Sequence, residues 1–320
     1  MSINLKEKDR ELLYELNKDC RQSLNQLAKK LKSKKTVVAY RIKRLEKLEI
    51  IRGYYTLIDG FLLGYESYRI YLNFQNLTPK IEQEIIDYFI NDKSIYFVAS
   101  VEGRFDLVVC KWIKKTEELY LFFKDLMQKY RKFIQSYLVT PYEYDLFGSE
   151  YLTKRPKFGK RIEYKFSTGK ISKADKLDLE ILKQLSYNAK VSIVEIGNKL
   201  GVTPNTIKYR IKNLKKTGII KAFCADINFD LLGYKWFKVD IWLNNYDEYE
   251  SILNFIKTNS NTFVIDRSVG LADIEVELHY RNTEELRNFL CKLVLQFPKS
   301  IKNYKYIFIR RIYKIDFMPK

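Results

Sequence analysis

Two rhythms of apolar residues alternate along this chain, and the pair of rhythms occurs twice. Over residues 4–17 leucines recur at helical spacing (Leu5, Leu12, Leu13, Leu16), which predicts an amphipathic helix. Residues 173–186 repeat the pattern with Leu177, Leu179, Ile181, Leu182 and Leu185. In the second copy a short amphipathic stretch, 192–200, leads into GVTPNTIKYRIKNLKKTGII, residues 201–220. There Gly201 makes a turn, the Thr203 hydroxyl can cap a helix, and Pro204 takes the first helical position, where a missing N–H costs nothing. Ile207, Ile211 and Leu214 share one face, and Val38, Ile42 and Leu45 do so in the first copy. The spacing predicts helix, tight turn, helix, with a basic second member. Residues 50–58 and 219–227 follow, rich in β-branched and aromatic side chains, and read as the hairpin wing of a winged helix.

The period then shortens. Strands are predicted at 68–74, 95–101, 106–112 and 134–144, with helices at 78–91 and 116–130. The second copy gives strands at 237–243, 262–269, 273–280 and 301–317, with helices at 246–258 and 283–297. The order βαββαβ is the ferredoxin-like arrangement, an antiparallel sheet with both helices on one face. The fold class is therefore α+β, a tandem repeat of a winged helix-turn-helix and a ferredoxin-like βαββαβ domain.

Direct alignment supports the repeat. At an offset of 169, Asp9 falls on Asp178, Ser23 on Ser192, Tyr40-Arg41-Ile42 on Tyr209-Arg210-Ile211, and Leu62-Leu63-Gly64-Tyr65 on Leu231-Leu232-Gly233-Tyr234. Gly103 and Asp106 fall on Gly270 and Asp273 at an offset of 167, so two residues are lost between Tyr234 and Gly270. The expected domains are winged helix-turn-helix regions at 1–60 and 174–230, ferredoxin-like domains at 65–150 and 234–318, and a basic linker at 151–173 that can itself lie along DNA.

Net charge is +19, which points to a polyanionic partner. A coding bias toward Lys, Ile, Asn and Tyr would also raise it, so the position of the charge carries more weight. Residues 29–52 hold ten Lys or Arg against Glu46 and Glu49. Cys20, Cys110, Cys224 and Cys291 are scattered without a CxxC pair, so neither a zinc site nor a redox motif is expected. No apolar run reaches the length of a membrane span, and a cytoplasmic protein with no membrane partner is expected.

The carrying motifs are Asp9-Arg10-Glu11-Leu12-Leu13 and Asp178-Leu179-Glu180-Ile181-Leu182, the strings RIKRLEKLEII and RIKNLKKTGII, the two LLGY segments, and GxxD between the middle strands. In this combination and order, present twice, the chain resembles the Lrp/AsnC (feast/famine) family of transcription regulators. Members usually carry one unit per chain. The resemblance implies a partner in double-stranded DNA, self-association through the sensing domains, within or between chains, and an amino-acid or other small-metabolite effector. No cofactor is expected.

In a helix-turn-helix the second helix enters the major groove. Thr203, Asn205, Thr206, Lys208, Tyr209 and Lys212 are the candidate contacts in the second copy, with Asn205 suited to adenine and the lysines to guanine or phosphate. Lys34, Lys35, Thr36, Ala39, Tyr40 and Lys43 correspond in the first. Arg41 and Arg210 serve either a phosphate or an internal ion pair. Arg52 and Lys221, on the predicted wings, either touch phosphate or face water. The first copy has Lys32 and Lys34 where the second has Gly201 and Thr203, and Ser33 is the alternative cap. Gly103, Arg104, Asp106, Gly270 and Asp273 are the effector-site candidates implied by the family, against the plainer reading of two turns.

Two other readings stand. Siroheme decarboxylases are similar in architecture, but their HCYxR-like stretch is replaced here by VIDRSVG. The sole histidine, His279, shares a strand side with Glu275 and Glu277. No catalytic constellation is visible, so no enzyme is expected. The second reading is an architectural protein that coats DNA without sequence choice.

Overall fold

A computed structural model describes residues 3–153, 161–169 and 171–319. Repeat one runs α1 (Glu7–Lys18), α2 (Leu24–Lys30), α3 (Lys35–Lys47), β1 (Ile51–Ile58), β2 (Glu66–Phe74), α4 (Pro79–Asn91), β3 (Ile95–Glu102), β4 (Leu107–Ile113), α5 (Thr116–Tyr130) and β5 (Ile134–Phe147). A short strand, β6 (Glu163–Phe166), follows. Repeat two runs α6 (Lys176–Tyr187), α7 (Ile193–Leu200), α8 (Pro204–Lys216), β7 (Ile220–Ile227), β8 (Lys235–Leu243), α9 (Tyr249–Thr258), β9 (Thr262–Ser268), β10 (Ile274–Tyr280), α10 (Thr283–Gln296) and β11 (Ile301–Ile315). The two lost residues are absorbed at α9, which is 10 residues long against 13 for α4. In space the chain sorts by type: both helix-turn-helix copies form one compact unit, and both βαββαβ repeats form the other.

In the first unit the predicted wing hairpins do not form. β1 instead pairs antiparallel with β7, its own counterpart in the other repeat. Neither strand has a local partner to turn back on, because each chain segment passes straight from its single strand toward the next domain. In the register, Tyr55 lies opposite Cys224, the residue that the offset of 169 makes its equivalent, so a local two-fold axis passes between them. The flanking hydrogen bonds obey the same symmetry. Cys20 N–H donates to Phe223 O at 2.7 Å, and Ala189 N–H to Tyr54 O at 2.9 Å. Asp59 N–H donates to Ile219 O at 2.8 Å, and Asn228 N–H to Ile50 O at 2.9 Å. One apolar core joins Leu12, Leu16, Leu27 and Leu45 of repeat one to Ala225, Ile227 and Leu232 of repeat two. Each fully buried leucine contributes about 2 kcal/mol of transfer free energy.

In the second unit each repeat builds an antiparallel sheet, in the orders β5-β2-β4-β3 and β11-β8-β10-β9. The long strands β5 and β11 join them. Residues 134–141 of β5 pair with β2 and residues 142–146 with β9. Residues 301–308 of β11 pair with β8 and residues 308–315 with β3. The eight strands therefore close into a ring, with β6 added outside on β5. The pairing of the two ferredoxin-like repeats is thus made within one chain. Alternation along β2 shows how the layers arise. Ile70 and Leu72 pack outward with Ile85, Phe89, Phe122 and Leu126 of α4 and α5. Tyr71 points inward with Val101, Val108, Ile307 and Ile309. Of the linker, residues 154–160 and 170 lie outside the described residues, and the rest includes β6, hydrogen-bonded to the sheet.

Candidate nucleic-acid interface

The two basic helices start differently. At α8 the Thr203 hydroxyl accepts from Thr206 N–H at 3.2 Å, and Pro204 takes the first helical position. At α3 the N-cap is Lys34, with no side-chain cap bond, and Ser33 does not substitute for one. The turns differ in the same sense. Gly201 has φ +68°, a left-handed conformation open to glycine; Lys32, its equivalent, is held at φ +48°. Gly218 (φ +84°), after α8, is matched by Glu49 (φ +55°). Each non-glycine residue held there costs about 1 kcal/mol.

Burial sorts the candidate contacts. Val38, Ile42 and Leu45 on α3, and Ile207, Ile211 and Leu214 on α8, are buried. Lys34, Lys35, Thr36, Tyr40 and Lys43 are exposed in the first copy, and Thr203, Asn205, Lys208, Tyr209 and Lys212 in the second. Ala39 and Thr206 are half-buried beside them. Tyr40 and Tyr209, equivalent by repeat, are 66% and 63% exposed, which is high for aromatic rings and leaves a face that a duplex can cover.

Five basic residues are already engaged. Arg41 Nη1 donates to Asp9 at 2.5 Å, and Arg44 to the other oxygen of the same buried carboxylate at 2.6 Å. Arg210 reaches Asp175 at 2.6 Å and Asp178 at 3.3 Å. The internal ion pair is therefore the role in which Arg41 and Arg210 are found. The Asp178 backbone N–H, then Arg210, hold the Asp175 carboxyl below its ordinary range. Arg52 and Lys221 are each found in an ion pair between the repeats. Arg52 forks onto Asp226 at 2.8 Å, and Lys221 meets Asp59 at 2.9 Å. Both lie on the β1–β7 ribbon, and their ion pairs link the two repeats.

The two GxxD corners are turns with a defined task. Asp106 accepts from Phe74 N–H and Asp273 from Leu243 N–H, both at 2.7 Å, so the carboxylates close the ends of β2 and β8. Asp273 also accepts from the Tyr246 hydroxyl at 2.5 Å. Arg104 is exposed and lies over the ring of Phe105. An open cleft of about 670 Å³ lies elsewhere, lined by Glu84, Asp87, Tyr88, Asn91, Asp92, Asp125 and Tyr130. None of Gly103, Arg104, Asp106, Gly270 and Asp273 lines it. Among the described residues no group of three or more His, Cys, Asp or Glu is arranged to hold a metal, and no helix is long and apolar enough to cross a membrane.

Sequence reasoning put Glu275 and Glu277 on one strand side but passed over the charges they meet inside the strand ring. Arg69 and Lys238, equivalent by repeat, are buried there with Asp240, Asp266, Glu275 and Glu277. A charged residue at matching positions of two predicted strands, Tyr68-Arg69-Ile70 and Phe237-Lys238-Val239, was the available signal. His279 is buried against Phe263, with ring centroids 4.1 Å apart, and burial pushes its imidazole down to about 3.

Comparison with known proteins agrees with the geometry. A winged helix-turn-helix DNA-binding family model matches residues 5–52 and 175–221. The HTH-type transcriptional regulator Ptr1 of Methanocaldococcus jannaschii is 35% identical over 32% of this chain and 74% of its own length. The regulator FL11 of Pyrococcus furiosus is 30% identical over 36% of this chain and 77% of its own. Across 97% of this chain and 93% of the other, the fold is similar to that of the siroheme decarboxylase NirDL, with a TM-score of 0.63 and 15% identity, a likeness of fold alone. With its doubled helix-turn-helix and doubled ferredoxin-like repeat, the chain belongs to the Lrp/AsnC family of transcriptional regulators, as two tandem units.

Proposed function

We propose that this protein is a sequence-specific double-stranded DNA-binding transcriptional regulator that works as a two-headed reader on a single polypeptide. The observation that carries the reading is the β1–β7 ribbon, whose local two-fold relates α3 to α8. A two-fold body fits an inverted repeat, because half-site symmetry mirrors protein symmetry. The heads are unlike, so the half-sites should be unlike too. Asn205 and Lys208 on the well-capped α8 suit base edges, and Lys34, Lys35 and Lys43 on α3 suit phosphates. Tyr40 and Tyr209 pack on the sugar-phosphate backbone or a thymine methyl.

Selection from random duplex DNA tests this. An enriched imperfect inverted repeat is the expected result. Binding without enrichment would favour an architectural protein that coats DNA, and two identical half-sites with equal loss on mutating either helix would remove the division of labour. The reading includes no catalytic step, since the relatives matched above are named as regulators and His279 is packed among aromatic rings. A heme or siroheme absorbance titration with saturable binding would reopen the enzyme reading. An amino acid or small metabolite that binds the sensing unit should raise the melting temperature in a thermal-shift screen.

A further inference from the structure

The strand ring has two seams between its repeats, and they are built from different chemistry. The β3–β11 seam is lined inside by apolar side chains, among them Ala99, Val101 and Ile309. Near the β5–β9 seam lies a network of charges. Arg69, on β2, reaches Asp266 on β9 at 2.5 Å and Glu277 on β10 at 3.0 Å. Its Nη2 serves both, at 3.3 Å to Asp266 and 3.0 Å to Glu277. Lys238 bonds Asp240 and reaches Glu275 at 2.6 Å. All six side chains are at most 7% exposed.

The charges do not balance. Four carboxylates face two cations, and two uncompensated anions in a dry interior are strongly unfavourable. A buried cluster in that position takes up protons. We propose that this cluster is a proton-binding switch at one seam of the sensing unit, closed while Glu277 holds a proton beside the Arg69–Asp266 pair, and loosened when that proton leaves.

The surroundings identify Glu277 as the group that releases it. Burial, and then the Asp266 carboxylate, push Glu277 up to about 8, against the pull of Arg69. Burial also raises Asp266 and Asp240. Burial acts to raise Glu275 as well, but Lys238 and Arg69 outweigh it and hold that group ionised below its ordinary range. The remaining neighbours do not titrate in the same window. Lys238 is held above its ordinary value by Glu275, against burial. Burial raises Tyr71 and Cys110, on β2 and β4, and Tyr142 on β5, and it keeps His279 on β10 neutral. The sign follows. A carboxyl whose folded value lies above its unfolded value of about 4.5 binds a proton in the folded state that the unfolded chain has released, so stability falls as pH climbs toward about 8 and levels off beyond.

The chain supplies its own reporter. All three tryptophans, Trp112, Trp236 and Trp242, belong to the sensing unit, and the Trp236 indole N–H donates to Glu277 at 3.0 Å. Tryptophan emission of the full chain, titrated across neutral and alkaline pH, should show a single transition centred near 8. The transition should be absent in Glu277→Gln and lost as a signal in Trp236→Phe. A flat wild-type titration, or the same transition in Glu277→Gln, would overturn the proposal. A second measurement on wild type stands independent of any variant: the melting temperature should be lower at about pH 9 than at about pH 6. An equal or higher value at the alkaline pH would also overturn it.

Discussion

The two helix-turn-helix copies share a core pattern and differ at their boundaries. α8 begins on a threonine cap, follows a glycine turn and ends before a second glycine. α3 begins on an uncapped lysine, with Lys32 and Glu49 held at positive φ in place of those glycines. The anchoring charges are inverted as well: one buried carboxylate, Asp9, holds two guanidiniums in the first copy, and two carboxylates share Arg210 in the second. The second copy gets its shape from local backbone chemistry. The first gets it from one buried charge and the common core.

If that contrast is right, the largest effect belongs to Asp9. Asp9→Ala strands Arg41 and Arg44 and should cost about 3 kcal/mol in chemical denaturation. Asp178→Ala should cost less, because Asp175 still holds Arg210. Equal losses would break the comparison. Asn205→Ala should remove about 2 kcal/mol of base discrimination in competition binding, whereas Lys35→Ala and Lys43→Ala should each flatten the salt dependence by roughly 0.9 on a log–log plot and leave sequence preference intact. Exchanging the turns gives opposite signs: Gly201→Lys should destabilise by about 1 kcal/mol, and Lys32→Gly should stabilise by up to about the same amount. The smallest effect should be Lys34→Ser, which supplies the missing cap and should gain about 0.5 kcal/mol.

Much of this was readable in the chain. The repeat offset, the helix-turn-helix cores and the Thr203 cap depend on neighbours within a few residues, and those fix helices locally. The wing was misread because β1 and a hairpin strand look the same in sequence, and the true partner of β1 lies about 170 residues away. The roles of Arg52 and Lys221 were hidden for the same reason, since Asp226 and Asp59 reach them only across that ribbon. Alternation put Glu275, Glu277 and His279 on one side of a strand. Whether that side faces solvent or the inside of a closed ring is decided by β5 and β11 reaching across repeats, which no local pattern records.

The fused architecture also frees the interior from a rule that binds symmetric pairs. In a homodimer every substitution appears twice, on both sides of the axis. Here Val108 and Cys110 stand where the second repeat has Glu275 and Glu277, while Arg69 and Lys238 remain matched cations. A symmetric assembly with those acids in both halves would gather two further carboxylates against the same two cations. A single chain carrying both halves can place acids in one and leave the other greasy, and so evolve a polar device that a true dimer would have to install in duplicate.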